Sequence, residues 1–286
     1  MKPLARNPLP DILKGLAVLL MIQVHLMELF AKQELMDSLA GNISLFLGGI
    51  PAAPVFMTTM GFFIAGSDKP QKALFIRGIR LLGLGLLLNT ALNAHLLILI
   101  LTGQSGLSPW PFVFGADILF LAGLSHWVIA LLKPIFRRKA LVWFLFAMLT
   151  AFITDLLPVQ SHDQGPFAYF RAFVFGKGIH WSYFPLLPWA AYVLAGYALK
   201  LFLDKHREIL TTKPRLTYLL AVISIMVIVA GWNYGFTISI NLPLYYHHGL
   251  LFFLYALNFM LAWTWGVFLL SKNRPHLPLF QYLRYL

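Results

Sequence analysis

The sequence predicts an all-α fold, a polytopic bundle of about eight transmembrane helices with a cytoplasmic N-terminus. Several apolar stretches reach the roughly 20 residues that a helix needs to cross a bilayer. Hydrophobic residues make up 59% of the chain and charged residues 11%, and the mean hydropathy is +0.76. Too little polar surface remains for a water-soluble domain of 286 residues. Basic residues also alternate between the connections, as a repeatedly crossing chain requires.

The predicted spans follow one another without a repeat or a low-complexity segment, so the chain is predicted to be one domain, 1–286. Hydropathy places them at residues 11–30, 43–65, 73–101, 114–132, 141–157, 181–203, 216–238 and 250–270. Lysine and arginine occupy every second connection, and the positive-inside rule puts these connections in the cytoplasm. They are Lys2, Arg6, Lys69, Lys72, Arg77, Arg80, Lys133, Arg137, Arg138, Lys139, Lys200, Lys205, Arg207, Lys213, Arg215, Lys272 and Arg274.

Two segments interrupt this regular pattern. Pro51 and Pro54 lie in the second span, where they remove backbone donors and bend or break a helix. A broken membrane helix is tolerated where it lines a cavity, but proline also kinks purely structural helices, so both readings stay open. The outward connection 158–180 mixes charged and aromatic residues. It suits either a lid over a cavity or an ordinary interfacial loop.

The first span carries ionisable residues where a plain membrane anchor would carry none. At about 100° and 1.5 Å per residue, Lys14 and His25 lie about 20° apart around the helix, and Asp11 lies about 40° to the other side of His25. This polar stripe runs roughly 21 Å along the helix axis. Because intramembrane ionisable residues usually face a bundle interior, the stripe predicts a functional site.

Histidine and carboxylate side chains in the outer halves of the spans are the candidates for acid–base chemistry. His25, followed by Glu28 three residues later, is a natural general base because imidazole titrates near working pH, although a lone histidine also serves as a packing residue. Asp117 begins the fourth span, where it could orient a histidine or cap its own helix. His126 lies about 180° from Asp117 around that helix, so these two do not form one site.

Other polar residues are candidates for substrate contact. Arg77 and Arg80, one turn apart and expected inside the bundle, could bind the phosphates of a nucleotide-bearing acyl donor or act as topology anchors. Asn89 and Asn93 could contact substrate or bond a neighbouring helix. The outward histidines, including His180 and the run Tyr245-Tyr246-His247-His248, are assigned to interfacial or acceptor-side roles. No metal site is predicted, because ligand spacing is missing.

The distribution of the basic residues indicates membrane topology rather than nucleic-acid binding. The formal net charge is +12, but the basic residues fall at helix ends instead of in one patch or arm. No nucleic-acid partner is therefore predicted, and membrane lipid is the expected surrounding. The chain has no cysteine, which excludes disulfides, thiolate metal sites and a cysteine nucleophile.

A set of weak motifs in a fixed order resembles a known family. An Asp-x-x-Lys/Arg-Gly-Leu-Ala opening is followed by a histidine near the outer end of the first helix, here Asp11, Lys14, Gly15 and His25. Further similar stretches are Pro51-Ala-Ala-Pro54-Val-Phe-Met-Thr-Thr-Met-Gly61-Phe, Arg77-Gly-Ile-Arg80, Phe114-Gly-Ala-Asp117 and Phe184-Pro-Leu-Leu-Pro188-Trp. The chain resembles bacterial members of the heparan-alpha-glucosaminide N-acetyltransferase-like family, which are similar to the family-3 membrane acyltransferases.

The resemblance implies an enzyme that transfers an acyl group across the bacterial cytoplasmic membrane. The donor would be acetyl-CoA or another acyl-CoA from the cytoplasm, and the acceptor a sugar or another glycan or envelope component outside. His25 would be the acyl-transfer residue, and Asp117 would lie along the path. Asp11 is roughly 21 Å from His25 along the helix and cannot orient it directly, so Asp117 or Glu28 is expected to be the catalytic partner. Lys14, Arg77 and Arg80 would face the donor. The path between them would be lined by Asp11, Glu28, Asn89, Asn93 and His180.

Two expectations remain open at this stage. A transporter or flippase of a small polar or lipid-linked solute would also use intramembrane polar residues and broken helices, but the matching interruptions in two halves are missing. Relatives continue past a Pro-Leu-x-x-Tyr stretch, here Pro278-Leu-Phe-Gln-Tyr282, into further helices. The resemblance therefore predicts that this chain lacks C-terminal helices. The acyl group, the acceptor and the oligomeric state are not encoded in any motif.

Overall fold

A computed structural model describes residues 8–159, 166–206, 214–273 and 278–283. Its regular structure is helical, apart from one bridge pair between Ala116 and Ser182. The all-α prediction is confirmed. The helices are α1 (Leu9–Phe30), α2 (Gln33–Met36), α3 (Leu39–Gly48), α4 (Ala53–Gly66), α5 (Gln71–Leu92), α6 (Ala94–Leu101), α7 (Trp110–Val113), α8 (Ile118–Phe136), α9 (Ala140–Leu156), α10 (Pro166–Val174), α11 (Leu186–Lys205), α12 (Pro214–Ala230), α13 (Trp232–Ile240), α14 (Leu242–Tyr246), α15 (Leu250–Asn273) and α16 (Pro278–Leu283).

Each of the eight predicted spans coincides with helical structure, which supports an integral membrane protein. Six candidate spans among the described residues are long and apolar enough to cross a membrane, with α3 and α4 counted together as one. A seventh is the pair α12 and α13, which bends by 69° at Gly231. The remaining predicted span is the shorter apolar helix α9. The prediction of about eight spans is therefore roughly confirmed.

The second span is broken where the sequence carries its two prolines. Helix α3 ends at Gly48 and α4 begins at Ala53, so Pro51 lies in the break and Pro54 in the first turn of α4. The first turn of a helix tolerates proline because its N–H groups have no partner within the helix. The two prolines thus end one helix and start another instead of bending a continuous one.

Helix α11 is the centre of the bundle. It packs most extensively against α4 and α9, and twelve of its residues are buried. A Cβ on Gly61 of α4 would collide with the backbone of Val193, and a Cβ on Gly196 of α11 would collide with the backbone of Thr58. The two helices can approach this closely only because neither residue has a side chain, which is the small-residue packing common in membrane bundles.

Three basic connections meet at one end of the bundle, which we call the basic end. Lys133 donates to the carbonyl oxygen of Lys69 at 2.8 Å and lies 3.6 Å from Asp68. Arg138 lies 3.7 Å from Asp204. The end of α4, the junction of α8 with α9 and the end of α11 therefore lie together, as the alternation of charge predicts. Which side of the membrane this end faces stays a prediction.

The outward connection 158–180 is described only in part, because residues 160–165 lie outside the described ranges. Its helix α10 packs against α8 through Phe173, whose ring centroid lies 4.9 Å from that of Phe120. Ser182 donates to the carbonyl oxygen of Ala172 at 2.6 Å. These contacts fix α10 to the bundle, and the choice between a lid and an interfacial loop stays open.

Candidate functional site

A small cavity of about 50 Å³ lies at the end of the bundle opposite the basic end, which we call the far end. Its lining residues come from α1, α3 and α4, from the start of α8, from the segment just before α11, and from α13 and α14. The lining residues are Met21, Val24, His25, Glu28, Leu45, Gly48, Gly49, Ala53, Ile118, Phe184, Ser239, Leu242, Tyr245 and Tyr246. The cavity-lining role of the broken second span is thereby confirmed. The cavity has room for a small reacting group, not for a whole ligand.

Polar and steric contacts between α1 and α3 fix the outer part of α1. The Gln23 side-chain amide donates to the carbonyl oxygen of Ser44 at 3.0 Å, and the Ser44 hydroxyl donates back to Oε1 of Gln23 at 2.8 Å. One residue further, a Cβ on Gly48 would collide with the side chain of Val24. This close approach sets the height and rotation of α1, and so places His25 and Glu28 at the cavity.

His25 and Glu28 form a pair within one helix. Nδ1 of His25 lies 3.2 Å from Oε2 of Glu28, and the two side chains are 62% and 22% exposed. Because the carboxylate accepts, Nδ1 is the nitrogen that carries hydrogen, and Nε2 then has a free lone pair. A histidine whose one nitrogen is held by a carboxylate while the other is free is arranged to accept a proton.

Helix α14 contributes two tyrosines, Tyr245 and Tyr246, to the lining of the cavity. Asn241 caps α14 by accepting from the Leu244 N–H at 3.2 Å, and Trp189 of α11 donates to the carbonyl oxygen of Tyr246 at 2.8 Å. The Tyr245 hydroxyl is buried and has no hydrogen-bond partner. Burial raises the pKa of Tyr245 well above its usual value, with smaller effects from neighbours that include Glu28. This tyrosine is therefore a protonated donor at working pH.

Two histidines behind α14 are held neutral. Nδ1 of His248 lies 2.6 Å from the carbonyl oxygen of Tyr245 and its Nε2 lies 2.9 Å from the Tyr192 hydroxyl, so Nδ1 donates and Nε2 accepts. Burial lowers the pKa of His248 to about 3. Burial, and then the charge of Lys177, lower the pKa of His247 to about 4. This pair supports α14 structurally and does not line the cavity.

Several residues predicted for the outer site hold loops in place. Oδ1 of Asp117 accepts from the N–H groups of Leu119 and Phe120 at 2.9 and 3.2 Å, so Asp117 caps α8. The Asn89 amide donates to Gly115 O at 2.9 Å, and the Asn93 amide donates to Phe112 O at 3.2 Å. His180 is exposed. None of these four lines the cavity among the described residues, and their predicted roles in catalysis or along the path stay predictions.

The residues predicted to face the donor lie on two separate helices. Lys14 and Asp11 are half-buried on α1, which packs mainly on α3 and α4. Arg77 and Arg80 are on α5, which packs mainly on α8. Both arginines are exposed, whereas the sequence analysis expected them inside the bundle. The reason is that α5 packs the face with Gly78 and Gly85 against α8, which leaves both arginines on the outward face. Their donor-binding role stays a prediction.

Sequence reasoning found His25 and Glu28 but not the residues that complete the cavity. Tyr245 and Tyr246 had been assigned only to general acceptor-side roles, and Ser239 had not been singled out. No spacing rule connects residue 245 with residue 25, because only the tertiary fold brings α14 and α1 to the same cavity. Within the described ranges, no group of three His, Cys, Asp or Glu residues could hold a metal ion.

The fold and the site together indicate an integral membrane protein with a His25–Glu28 pair at a small cavity at one end of the helical bundle. A family model described as "Heparan-alpha-glucosaminide N-acetyltransferase, catalytic" matches residues 6–234. The chain therefore belongs to this family of membrane acetyltransferases, which confirms the resemblance. The relation to the family-3 acyltransferases stays a prediction. Comparisons with curated proteins and with solved structures gave no match.

Proposed function

We propose that this protein transfers an acyl group, expected to be acetyl, from a cytoplasmic acyl-CoA to a sugar or other envelope acceptor on the opposite side of a bacterial cytoplasmic membrane. The observation that carries the proposal is the His25–Glu28 pair at the far-end cavity. Family membership supports the acetyl-transfer chemistry. The transporter alternative has no comparable support, because the matching family model describes an acetyltransferase.

His25 is the group that moves the proton. In direct transfer, an amine or hydroxyl of the acceptor attacks the thioester carbonyl carbon, and its proton passes to Nε2 of His25. The carbon–sulfur bond breaks, and the CoA thiolate leaves and takes up a proton. Glu28 keeps Nδ1 of His25 protonated and stabilises the imidazolium that forms. In the alternative route, Nε2 attacks the thioester and carries the acyl group before the acceptor takes it.

Tyr245 lines the same cavity as His25 and carries a protonated hydroxyl without a hydrogen-bond partner, which we assign as a donor to the reacting carbonyl. A tetrahedral intermediate develops negative charge on the former carbonyl oxygen, and a donor already fixed in place stabilises that charge. A hydroxyl that is buried without a partner has no competing bond to give up. We assign Tyr245 to this role, while Asp117, Asn89, Asn93 and His180 remain candidates along the acceptor side.

The donor approaches from the basic end in this proposal. Exposed Arg77 and Arg80 are available to the phosphates of CoA, and half-buried Lys14 and Asp11 continue the polar stripe of α1 toward His25. Replacing both arginines by glutamine should weaken acyl-CoA binding at a cost of about 1.5 to 3 kcal/mol for each charge-assisted bond that is lost. Unchanged affinity in the double variant would leave the arginines as topology anchors.

The deciding experiment compares His25→Ala with His95→Ala in lipid nanodiscs, since His95 is also exposed but lies on α6 and does not line the cavity. Acetyl-CoA is the donor and glucosamine the probe acceptor. Released CoA can be read with a thiol reagent without background, because the chain has no cysteine. We expect a loss of about 10²-fold or more for His25→Ala only. Equal turnover in both variants would remove His25 from the active site.

A further inference from the structure

A second cleft, much larger than the far-end cavity, opens at the basic end between α9, α11 and α15. Its volume is about 940 Å³, which is within the range of roughly 300 to 1,000 Å³ typical of ligand sites. From the basic end it extends inward to Thr58 of α4 and Ala195 of α11. Its lining residues come mainly from the start of α9, the second half of α11 and the middle of α15.

The walls of this cleft are almost entirely aliphatic and aromatic. They are formed by Ala140, Leu141, Val142, Phe144, Ala195, Ala198, Leu199, Phe202, Leu254, Leu257, Met260 and Leu261. Its outer edges include Leu141 and Leu261, which are 69% and 50% exposed. In a membrane protein such edges face hydrocarbon, so the cleft is open sideways to the bilayer.

Few polar side chains lie inside the cleft, and two of them, Thr58 and Asn258, already have partners. The Thr58 hydroxyl donates to Sδ of Met260 at 3.6 Å, and the Asn258 amide donates to the carbonyl oxygen of Leu254 at 2.9 Å. An occupant rich in amides or hydroxyls would lose its bonds to water here and gain few in return. Hydrocarbon chains have no hydrogen bonds to water to lose, so the interior of the cleft favours an acyl chain over a polar occupant.

The mouth of the cleft, by contrast, is cationic. Arg138, Lys139, Lys205 and His206 line it. Arg138 shares the carboxylate of Asp204 with Lys200. Lys139 and Lys205 are both exposed and make no ion pair within the described ranges. Two lysines without carboxylate partners above an apolar slot are complementary to an anionic headgroup attached to hydrocarbon tails.

We propose that this cleft binds an anionic glycerophospholipid from the leaflet at the basic end. Its phosphate would lie between Lys139 and Lys205, and an acyl chain would extend along Leu257 and Leu261 toward Thr58. Basic pockets between transmembrane helices are the usual recognition sites for acidic lipid headgroups. The proposal is independent of the acetyl-transfer reaction, since it concerns a different cavity at the opposite end of the bundle.

Native mass spectrometry with phosphatidylglycerol and phosphatidylcholine as competing probes tests the proposal on the full chain. The cleft variant is Lys139→Gln/Lys205→Gln, and the matched control is Lys69→Gln/Lys72→Gln, which removes two exposed lysines at the same end but outside the cleft. We expect phosphatidylglycerol to bind about thirtyfold more weakly to the cleft variant, the scale for two lysines near an acidic headgroup, and to bind normally to the control.

A second variant separates the cleft from charge alone. Leu257→Trp fills the slot without changing charge and should reduce retention of phosphatidylglycerol as well. Equal losses in the two lysine variants would mean general attraction to a basic surface and overturn the proposal. Undiminished lipid binding in the cleft variant would overturn it too. Displacement of the lipid by acetyl-CoA, with loss of acetyl-CoA binding in the cleft variant, would instead make the cleft a donor site.

Discussion

The acid–base pair is built into a single helix turn. Glu28 follows His25 by three residues, so the two side chains lie on one face of α1 without help from another helix. The neighbouring helices contribute position instead, through the Gln23–Ser44 bonds and the contact of Val24 with Gly48. The His25–Glu28 pair thus depends on local spacing, while the position of this pair at the cavity depends on packing.

Tyr245→Phe tests the role of the unpartnered hydroxyl. We expect stability to stay equal or to rise by up to about 1 kcal/mol, because a buried donor without a partner is removed. Turnover should fall by about 10²-fold, the scale for losing one fixed donor to a developing oxyanion. Thermal unfolding and acetyl transfer are measured on the same preparation.

Tyr192→Phe is the matched control, because the Tyr192 hydroxyl is bonded to Nε2 of His248 and Tyr192 does not line the cavity. Its removal leaves a buried acceptor unsatisfied and should cost about 1 to 3 kcal/mol of stability, with little effect on turnover per folded molecule. The reverse pattern, with Tyr245→Phe unstable and active, would show that Tyr245 only packs.

The neutral histidines behind α14 predict that stability falls at acidic pH. The pKa of His248 is about 3 in the folded protein and about 6.5 when exposed. Between these values the unfolded chain binds a proton that the folded chain refuses, so the free energy of unfolding decreases as pH falls through 6.5. The loss from His248 between pH 6.5 and pH 5 is about 2 kcal/mol.

Thermal melts from pH 7.5 to pH 5 check this expectation. His248→Gln should flatten the slope, while His95→Gln, at an exposed position on α6, should keep it. If stability falls with pH equally steeply in His248→Gln and in the unchanged protein, the acid sensitivity comes from other groups.

At the scale of elements, the contact of α4 with α11 determines the core. Trp189, Tyr192 and Val193 of α11 are fully buried. Because Gly61 and Gly196 lie at the crossing, the backbones touch directly and the bulky residues fill the space above and below. The broken second span depends on this crossing, since α4 must be fixed for the residues of the break to line the cavity.

Gly196→Ala is predicted to destabilise the bundle by about 3 kcal/mol, because the added methyl group would overlap the backbone of Thr58 and the helices must separate. Gly83→Ala on α5 is the control, since a Cβ there meets no atom within 4 Å. It should be neutral or slightly stabilising, as alanine is the better helix former. Chemical denaturation in mild detergent compares the two variants, and similar midpoints would contradict the close-crossing account.

At the scale of the whole molecule, the two cavities lie at opposite ends. The small one at the far end is lined by His25, Glu28 and two tyrosines, while the large one at the basic end is apolar with a cationic mouth. The proposed acetyl transfer and the proposed lipid binding would therefore take place at opposite ends of the bundle. This arrangement suits an enzyme whose donor and acceptor lie on different sides of a bilayer.

Orientation is testable directly because the chain has no cysteine of its own. A membrane-impermeant thiol reagent should label Arg138→Cys only from the cytoplasmic side and His180→Cys only from outside, since both positions are exposed at opposite ends. The physical reason is the positive-inside rule, which retains the basic connections in the cytoplasm. Labelling of position 138 from outside alone would invert the donor and acceptor sides.

The sequence by itself was sufficient to predict the all-α class, the membrane spans and the pairing of His25 with Glu28 on the first helix. Hydropathy and charge alternation are local properties, and the Asp11–Lys14–His25 stripe and the Glu28 spacing follow from helix geometry alone. From the same local properties, Arg77 and Arg80 were predicted to lie inside the bundle, but both are exposed. Whether a residue of α5 is buried depends on which face of that helix packs against α8.

Only the tertiary structure decided what surrounds His25 and what the remaining polar residues do. Tyr245 and His25, more than two hundred positions apart in the chain, line one cavity only because the tertiary fold brings α14 and α1 to the same place. Asp117 caps α8 and Asn89 holds the loop before it, roles that depend on which backbone groups remain unpaired. The cleft at the basic end is bounded by α9, α11 and α15, three helices that are distant in sequence. Local sequence determines which secondary structure a segment can form, and long-range packing determines which surfaces of the helices meet.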